Sequence, residues 1–272
     1  MFIYRPVCKF YVKNTKVPFE EDHFHEFKGH RNLCVEDLPH WCYTSSDKRS
    51  RKPISSVLNA FLNTGDGGIV YIGIVDDGTV KAIRLTEYQK DHLRAGIDDL
   101  LQNRFYPSVS QHRYRVKFVP VIEKDDDHID IDHIYNLEIS TMTDPKLKEK
   151  PHLLRTAQYC WCDKDSIAQF NNGQVCGEYV AEIHIQTWDP SDARNAGSMQ
   201  TQHKLNPVHQ NEEAHVYFRM QASNMRASMH DIRQVTQLQM QSHYQPEINS
   251  LQAELQRLQA RLSEKDVESM LH

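Results

Sequence analysis

The sequence predicts an α+β fold in which helices pack on a mixed, mainly antiparallel sheet. Three observations support this class. Short apolar runs rich in β-branched residues have the length of strands, two longer segments repeat apolar residues at helical spacing, and turn residues separate them. Strands and helices that interleave in this way pack as layers around one core.

The first predicted elements lie within residues 24–75. Residues 24–28 (FHEFK) alternate like a strand, with Glu26 and Lys28 on one face. Residues 51–63 have the apolar spacing of a helix, with Pro53 in its first turn. The glycines of NTGDGG end that helix, and the run IVYIGIV that follows is typical of a buried strand.

Further elements follow up to residue 170. We expect residues 79–83 (TVKAI) to return as the hairpin partner of IVYIGIV across a D-D-G turn. Residues 85–105 predict a second helix with Thr86 as its N-cap. Three more strands are predicted at the segments YRVKFVPVIE, IYNLEIS and QYCWCDKDS.

The chain divides into three predicted parts. Residues 1–170 form the α+β core, and residues 171–230 form an extension with strand-like segments (YVAEIHIQTW and AHVYFRM) around a polar loop. Residues 231–272 form a C-terminal helix. Its apolar residues alternate at spacings of three and four, which indicates a short coiled coil whose backward extension Pro246 limits: Ile248, Leu251, Leu255, Leu258 and Leu262. The alternative is a single amphipathic helix that docks on its own domain.

Composition excludes some classes of protein. The net charge of −5 and a pI near 6.3 give no global positive field, so any nucleic acid must bind at local basic patches. The N-terminus lacks the apolar region of a secretory signal, and no run approaches the ~18 apolar residues of a membrane span. We therefore expect a cytoplasmic protein, with the nucleus as an alternative, that has no membrane contact and keeps its six cysteines reduced.

Two basic clusters are candidate nucleic-acid contacts. The first precedes the first helix and contains Lys48, Arg49, Arg51 and Lys52. The second contains Arg113, Arg115 and Lys117, whose alternation predicts one shared strand face. Both have the charge that binds phosphates, and solvated surface residues are the alternative for each.

The turn NTGDGG has two interpretations. Glycine permits close backbone approach to a ligand, so Asn63, Thr64, Gly67 and Gly68 could lie near a phosphate, as in a nucleotide-binding domain. The alternative is a helix C-cap followed by a tight turn. The order helix, loop, strand favours the C-cap, because phosphate loops usually run from a strand into a helix.

Taken together, three segments resemble the Schlafen family, whose core is described as a divergent Alba-like domain. They are EEDHFHEFKGH, ISSVLNAFLNTGDGGIVYIGIVDDGTVKAI and RFYPSVSQHRYRVKFVPVIE, and the resemblance covers about residues 18–170. It implies an α+β fold and an RNA-processing function. In the nuclease members this is endoribonuclease activity on structured RNA such as tRNA. Other members imply an alternative, an inactive RNA-binding or scaffold subunit.

The resemblance also implies a site. It assigns Glu21, Glu26 and Asp66 as ligands of a Mg²⁺ or Mn²⁺ ion, and a structural zinc is not expected because Tyr114 stands where the family has a cysteine. Lys28 would stabilise charge on the phosphate. Residues five apart on a regular strand face opposite ways, so Glu21 and Glu26 converge only if the chain bends near Asp22. The alternative is a solvated acidic run.

The partners implied are RNA and a second protein chain. The nuclease members carry two such domains that together enclose RNA, and this chain has one. The C-terminal leucines could supply a homodimer or a heteromer with a related subunit.

Overall fold

The computed structural model describes residues 10–43, 49–85, 87–123, 177–195 and 205–270, apart from the side chains of residues 87, 88 and 263–270. Several predicted features lie outside these residues. They are the strands at IYNLEIS and QYCWCDKDS, the N-cap Thr86 and the basic residue Lys48.

The described residues form a mixed six-stranded sheet with the order β1-β5-β6-β3-β2, in which β4 also pairs with β6. β6 pairs antiparallel with β3, β4 and β5, whereas β1–β5 and β2–β3 are parallel. The predicted α+β class with a mainly antiparallel sheet is therefore confirmed. The strands are β1 (Tyr11–Val12), β2 (His25–Lys28), β3 (Gly68–Ile72), β4 (Ile83–Leu85), β5 (Tyr114–Ile122) and β6 (Gly177–Ile185).

The described structure also contains three α-helices, a β-hairpin and several short 3₁₀ or π-helical turns. The hairpin consists of β7 (Tyr217–Met220) and β8 (Ser223–Arg226), and the helices are α1 (Ile54–Thr64), α2 (Glu87–Asp99) and α3 (Met229–Met270). Apolar side chains of α1 and α2 pack against one face of the sheet in the larger core cluster. A smaller cluster, which includes Phe27 and Tyr71, occupies the opposite face.

Helix α1 is almost wholly buried, and its ends are set by proline and glycine. Pro53 is the N-cap of the helix, whereas the sequence predicts it within the first turn. Gly65 has a left-handed φ of 88° and its N–H bonds to Phe61 O at 3.3 Å, so the predicted glycine C-cap is confirmed.

The predicted hairpin across the D-D-G turn is present only as a short pairing of residues 74–75 with residues 79–80. Val80 makes one isolated bridge to Ile74, and the chain then turns away so that β4 pairs with β6 instead. The turn is made at Gly73, whose φ is 107° and whose carbonyl accepts the N–H groups of Lys81 and Ala82. Glycine allows this conformation, which ends the pairing.

The core also extends beyond its predicted end at residue 170. Strand β6 lies within the predicted extension, yet it is the central strand of the sheet. The two strand-like segments of the extension are confirmed as β6 and β7. The predicted boundary failed because strand pairing joins residues distant in sequence, which local patterns do not reveal.

The segment after β6 docks on α1 through two buried amides. Asn63 donates to His209 O at 2.9 Å and Tyr217 O at 3.1 Å, while its Oδ1 accepts His209 N–H at 2.7 Å. Asn59 adds a bond to His209 O and accepts Tyr217 N–H, both within 2.8 Å. These bonds satisfy buried backbone groups of the extension and fix it to the helix.

Helix α3 begins at Met229 and continues through Pro246, which does not end it. Ser228 and Asp231 form reciprocal bonds at its N-terminus, the arrangement of a capping box. The five apolar residues of the predicted coiled coil are exposed, from 44% at Ile248 to 62% at Leu262. No helix in the described part of the chain combines the length and the apolar character needed to cross a membrane.

Candidate functional site

Strand β2 presents Glu26 and Lys28 on the face of the sheet that α1 covers. Glu26 is level with Val70 and Lys28 with Ile72, and both partners belong to the core beneath α1. His25 and Phe27 point to the other face, so the predicted alternation is confirmed. The two charged side chains border a cleft of about 780 Å³.

Both oxygens of Glu26 are bound by cations. Lys28 Nζ lies 2.5 Å from Oε1, and Arg219 Nη1, from β7, donates to Oε2. The Arg219 side chain has no exposed surface. It also donates to Asp22 O at 2.6 Å, His25 O at 2.9 Å and Asn224 Oδ1 at 3.0 Å, so every part of the guanidinium is occupied.

The bend expected near Asp22 is present. Asp22 Oδ1 accepts the N–H groups of Phe24 and His25 at 2.7 and 2.9 Å, and Asp22 N–H bonds back to His25 O at 3.1 Å. These bonds turn the chain just before β2. Glu21 therefore folds back along the strand, and its Oε1 accepts Phe27 N–H at 2.8 Å.

The Glu21 carboxyl is half-buried, and two other carboxylates influence its pKa. Burial raises the pKa of the Glu21 carboxyl, and the negative charges of Glu26 and Asp76 act in the same direction. The hydrogen bond from Phe27 N–H and the positive charge of Lys28 oppose this rise. Glu26 and Asp76 both line the cleft.

Asp66 is not among the residues that line the cleft. Its Oδ2 pairs with His23 Nε2 at 2.8 Å, and its backbone carbonyl accepts the hydroxyl of Thr187 at 2.9 Å. Both Gly65 and Gly67 have positive φ, and these two residues turn Asp66 toward the segment after β6. The aspartates that line the cleft are Asp76 and Asp77. The assignment of Asp66 as third carboxylate ligand stays a prediction of the resemblance.

The described residues do not fit a bound divalent ion as they stand. No three of their His, Cys, Asp and Glu side chains are grouped as ligands for a metal ion. Glu26, which would be the central ligand, already has a cation on each oxygen. Metal binding at this site remains a prediction of the resemblance.

The sequence interpretation missed the acidic turn and His30. The D-D-G pattern predicts only a turn at Asp76 and Asp77, but both aspartates line the cleft. His30 also lines it, beside Lys28 and Arg51. Burial, with the positive charges of Arg51 and Lys28, lowers the pKa of His30 to about 4. The imidazole is thus neutral at pH 7, and its Nδ1 accepts Asn32 N–H at 3.2 Å.

The first basic cluster is only partly available to a ligand. Arg49 forms a two-pronged ion pair with Glu213, which ties it to the extension. Arg51 and Lys52 line the cleft, and Lys52 is exposed. A basic edge thus remains beside Lys28.

The second basic cluster does not share one strand face. Arg113 precedes β5, is buried, and packs its guanidinium 4.8 Å from the Trp188 ring. Burial lowers the pKa of Arg113 to about 10. In the strand register, Arg115 lies opposite His184 and Lys117 lies opposite Glu182. These residues are on the face of the sheet opposite to the cleft.

The contacts of NTGDGG favour the C-cap interpretation. Asn63 is buried in the bonds to the extension, and Thr64 Oγ1 donates to Ala60 O and accepts Arg219 N–H. A side chain at Gly67 would lie 2.5 Å from Ile185 O, and one at Gly68 would overlap the Phe61 ring. The glycines therefore serve close packing within the protein.

Breaking the Arg219 pair tests its structural role. Arg219→Ala leaves Glu26 and two backbone carbonyls without their buried donor, which we expect to cost about 3–5 kcal/mol of unfolding free energy. Urea denaturation measures the cost. Arg233→Ala, an exposed arginine of α3, is the control and should change stability by less than about 0.5 kcal/mol. Equal, small effects of the two variants would contradict the role given to Arg219.

Comparison with known families agrees with the resemblance. A family model described as Schlafen-like domain, nematodes, matches residues 37–147. The match includes α1, β3 and the acidic turn, whereas Glu21 and Glu26 precede it. Residues 37–147 are therefore similar to a Schlafen-like domain, which agrees with the resemblance predicted from the sequence.

Proposed function

We propose that this chain is an RNA-processing protein that binds structured small RNA, such as tRNA, in the cleft beside Glu26. The observation that carries the proposal is the basic edge of the cleft, formed by Lys28, Arg51 and Lys52. Cationic side chains at one edge of a groove bind the phosphate backbone of RNA. Such a local patch can bind RNA even though the net charge of the whole chain is negative. The chain would act in the cytoplasm.

The ion pairs of Glu26 favour RNA binding over metal-dependent cleavage as the function of the cleft. A divalent ion at Glu26 would have to displace Lys28 and approach the buried charge of Arg219. Both changes oppose metal binding electrostatically. A phosphate group, in contrast, is opposite in charge to Arg51 and Lys52, which line the same cleft.

Removal of the basic edge tests RNA binding. The double variant Arg51→Ala, Lys52→Ala should bind fluorescein-labelled tRNA about 10-fold more weakly. The negative slope of the log binding constant against log salt concentration should become shallower by about 1 to 2. Fluorescence anisotropy measures both quantities. The matched control is Arg115→Ala, Lys117→Ala on the opposite face. Weakening by the control, with normal binding by the first variant, would contradict the placement of RNA in the cleft.

A second candidate is that the cleft also cleaves the RNA, as an endoribonuclease or as one subunit of it. The observation that favours it is that Glu26 and Asp76 line the cleft with Lys28, while the Glu21 carboxylate is bound to the same strand through Phe27 N–H. Burial and like charges raise the pKa of Glu21, and such a carboxyl is suited to general acid–base catalysis. The Mg²⁺ or Mn²⁺ ion that the resemblance implies belongs to this second candidate.

Cleavage is tested with two matched aspartate variants. The second candidate predicts that tRNA incubated with the chain and Mn²⁺ is cut, that EDTA prevents the cut, and that Asp76→Asn lowers the rate at least about 100-fold. Asp66→Asn is the control and should cut normally, because Asp66 is paired with His23. Denaturing gel electrophoresis follows the products. Bound but uncut tRNA would contradict this candidate, and loss of cleavage in Asp66→Asn alone would contradict the role of Asp76.

We further propose that α3 joins the chain to a second copy or to a related subunit. Its exposed apolar residues have the spacing of a coiled-coil seam, and a partner helix would bury them. A second domain brought in this way could close over the RNA in the cleft.

Deletion of residues 246–272 tests the association. The truncated chain should have a lower molar mass in light scattering than the full chain, because it lacks the seam. Leu255→Asp should have the same effect since it places a charge in the seam, while Gln256→Asp, beside the seam, should not. An unchanged mass in the deletion variant would refute the proposal.

A further inference from the structure

Beside the basic edge lies an exposed group of aromatic side chains. Trp41 is 66% exposed and Tyr43 is 42% exposed, which is unusual for residues of this size. They belong to or directly follow a short 3₁₀ helix, His40–Cys42. We call Trp41 and Tyr43, together with Arg51, the aromatic shelf.

The shelf is held in place by buried and paired groups. Cys42 is fully buried between the two aromatic residues, and its carbonyl accepts Ser50 N–H at 2.8 Å. Tyr43 forms a bridge with Arg49. Because the two chain segments are joined here, Arg51 comes to lie with its guanidinium 4.8 Å from the Trp41 ring. The outward position of Trp41 is therefore built into the fold.

Arg51 links the shelf to the cleft. It lines the cleft with Lys52 and Lys28 and at the same time contacts Trp41. Exposed aromatic rings beside a line of cations are the arrangement with which proteins bind unpaired nucleotides: bases stack on the rings and phosphates meet the cations. Trp, Tyr and Arg also recur at protein interfaces, so a protein contact is the alternative that the experiment below separates from RNA binding.

We propose that Trp41 is a stacking site for an unpaired base of the RNA whose phosphates lie along Lys52 and Arg51. This inference rests on the proposed RNA binding and narrows the substrate. In a duplex both faces of each base are already stacked, so the preferred RNA has a single-stranded tail or loop next to its paired region.

Two labelled RNAs test the proposal in the full chain: a stem-loop with a single-stranded oligouridine 3′ tail, and a blunt duplex of the same stem. Trp41→Ala should bind the tailed RNA about 10-fold more weakly and the duplex as the wild type does. Trp41→Phe, which keeps an aromatic ring, should bind the tailed RNA within about threefold of the wild type. Tyr244→Ala, an aromatic residue of α3, is the control for loss of a ring outside the cleft.

Three outcomes would overturn the inference. Equal binding of the tailed RNA by Trp41→Ala and the wild type would remove Trp41 from the interface, and equal weakening for both RNAs would show a role unrelated to unpaired bases. If the wild type bound neither RNA, the proposed RNA binding itself would fail. A lower molar mass of Trp41→Ala in light scattering, without any RNA binding, would then assign Trp41 to a protein contact.

Discussion

The candidate site depends on one buried ion pair, between Arg219 of β7 and Glu26 of β2. A buried guanidinium is costly unless all its donors are used, and here they bind Glu26, Asn224 and the carbonyls of Asp22 and His25. The same bonds hold the bend before β2. The bend in turn brings Glu21 back along β2, so the position of Glu21 depends on a contact between residues almost 200 positions apart.

The extension is therefore part of the site. Asn59 and Asn63 bind the backbone before β7 to α1, and this positions Arg219 above the Phe61 ring at 5.1 Å. Arg49 adds a second connection through Glu213. A fragment that ends before these residues would keep the matched Schlafen-like segment but lose the cation that balances Glu26.

Local patterns in the sequence predicted the elements well and their pairing poorly. The spacing of α1, the glycine that ends it and the alternation of Glu26 and Lys28 follow from neighbours in the chain, and the structure has all three. The central place of β6 and the turn of β4 away from β3 depend on contacts between distant segments, which periodicity does not contain. Asp66 and Asp76 show the same limit for the site: both lie in turns that contain glycine, and the path of the backbone places Asp76 in the cleft lining and Asp66 beside His23. Arg113 looked like a surface cation because its burial against Trp188 is a tertiary feature.

These contacts describe a cleft whose central carboxylate is neutralised by the protein itself, with a basic and aromatic edge suited to RNA. The central claim is that Arg219 and Lys28, rather than a metal ion, balance Glu26 in the free chain. Isothermal titration calorimetry with Mn²⁺ tests this claim most directly. The account predicts no saturable binding of Mn²⁺ to the full chain. One tightly bound Mn²⁺ per chain, lost in Glu26→Gln, would contradict it.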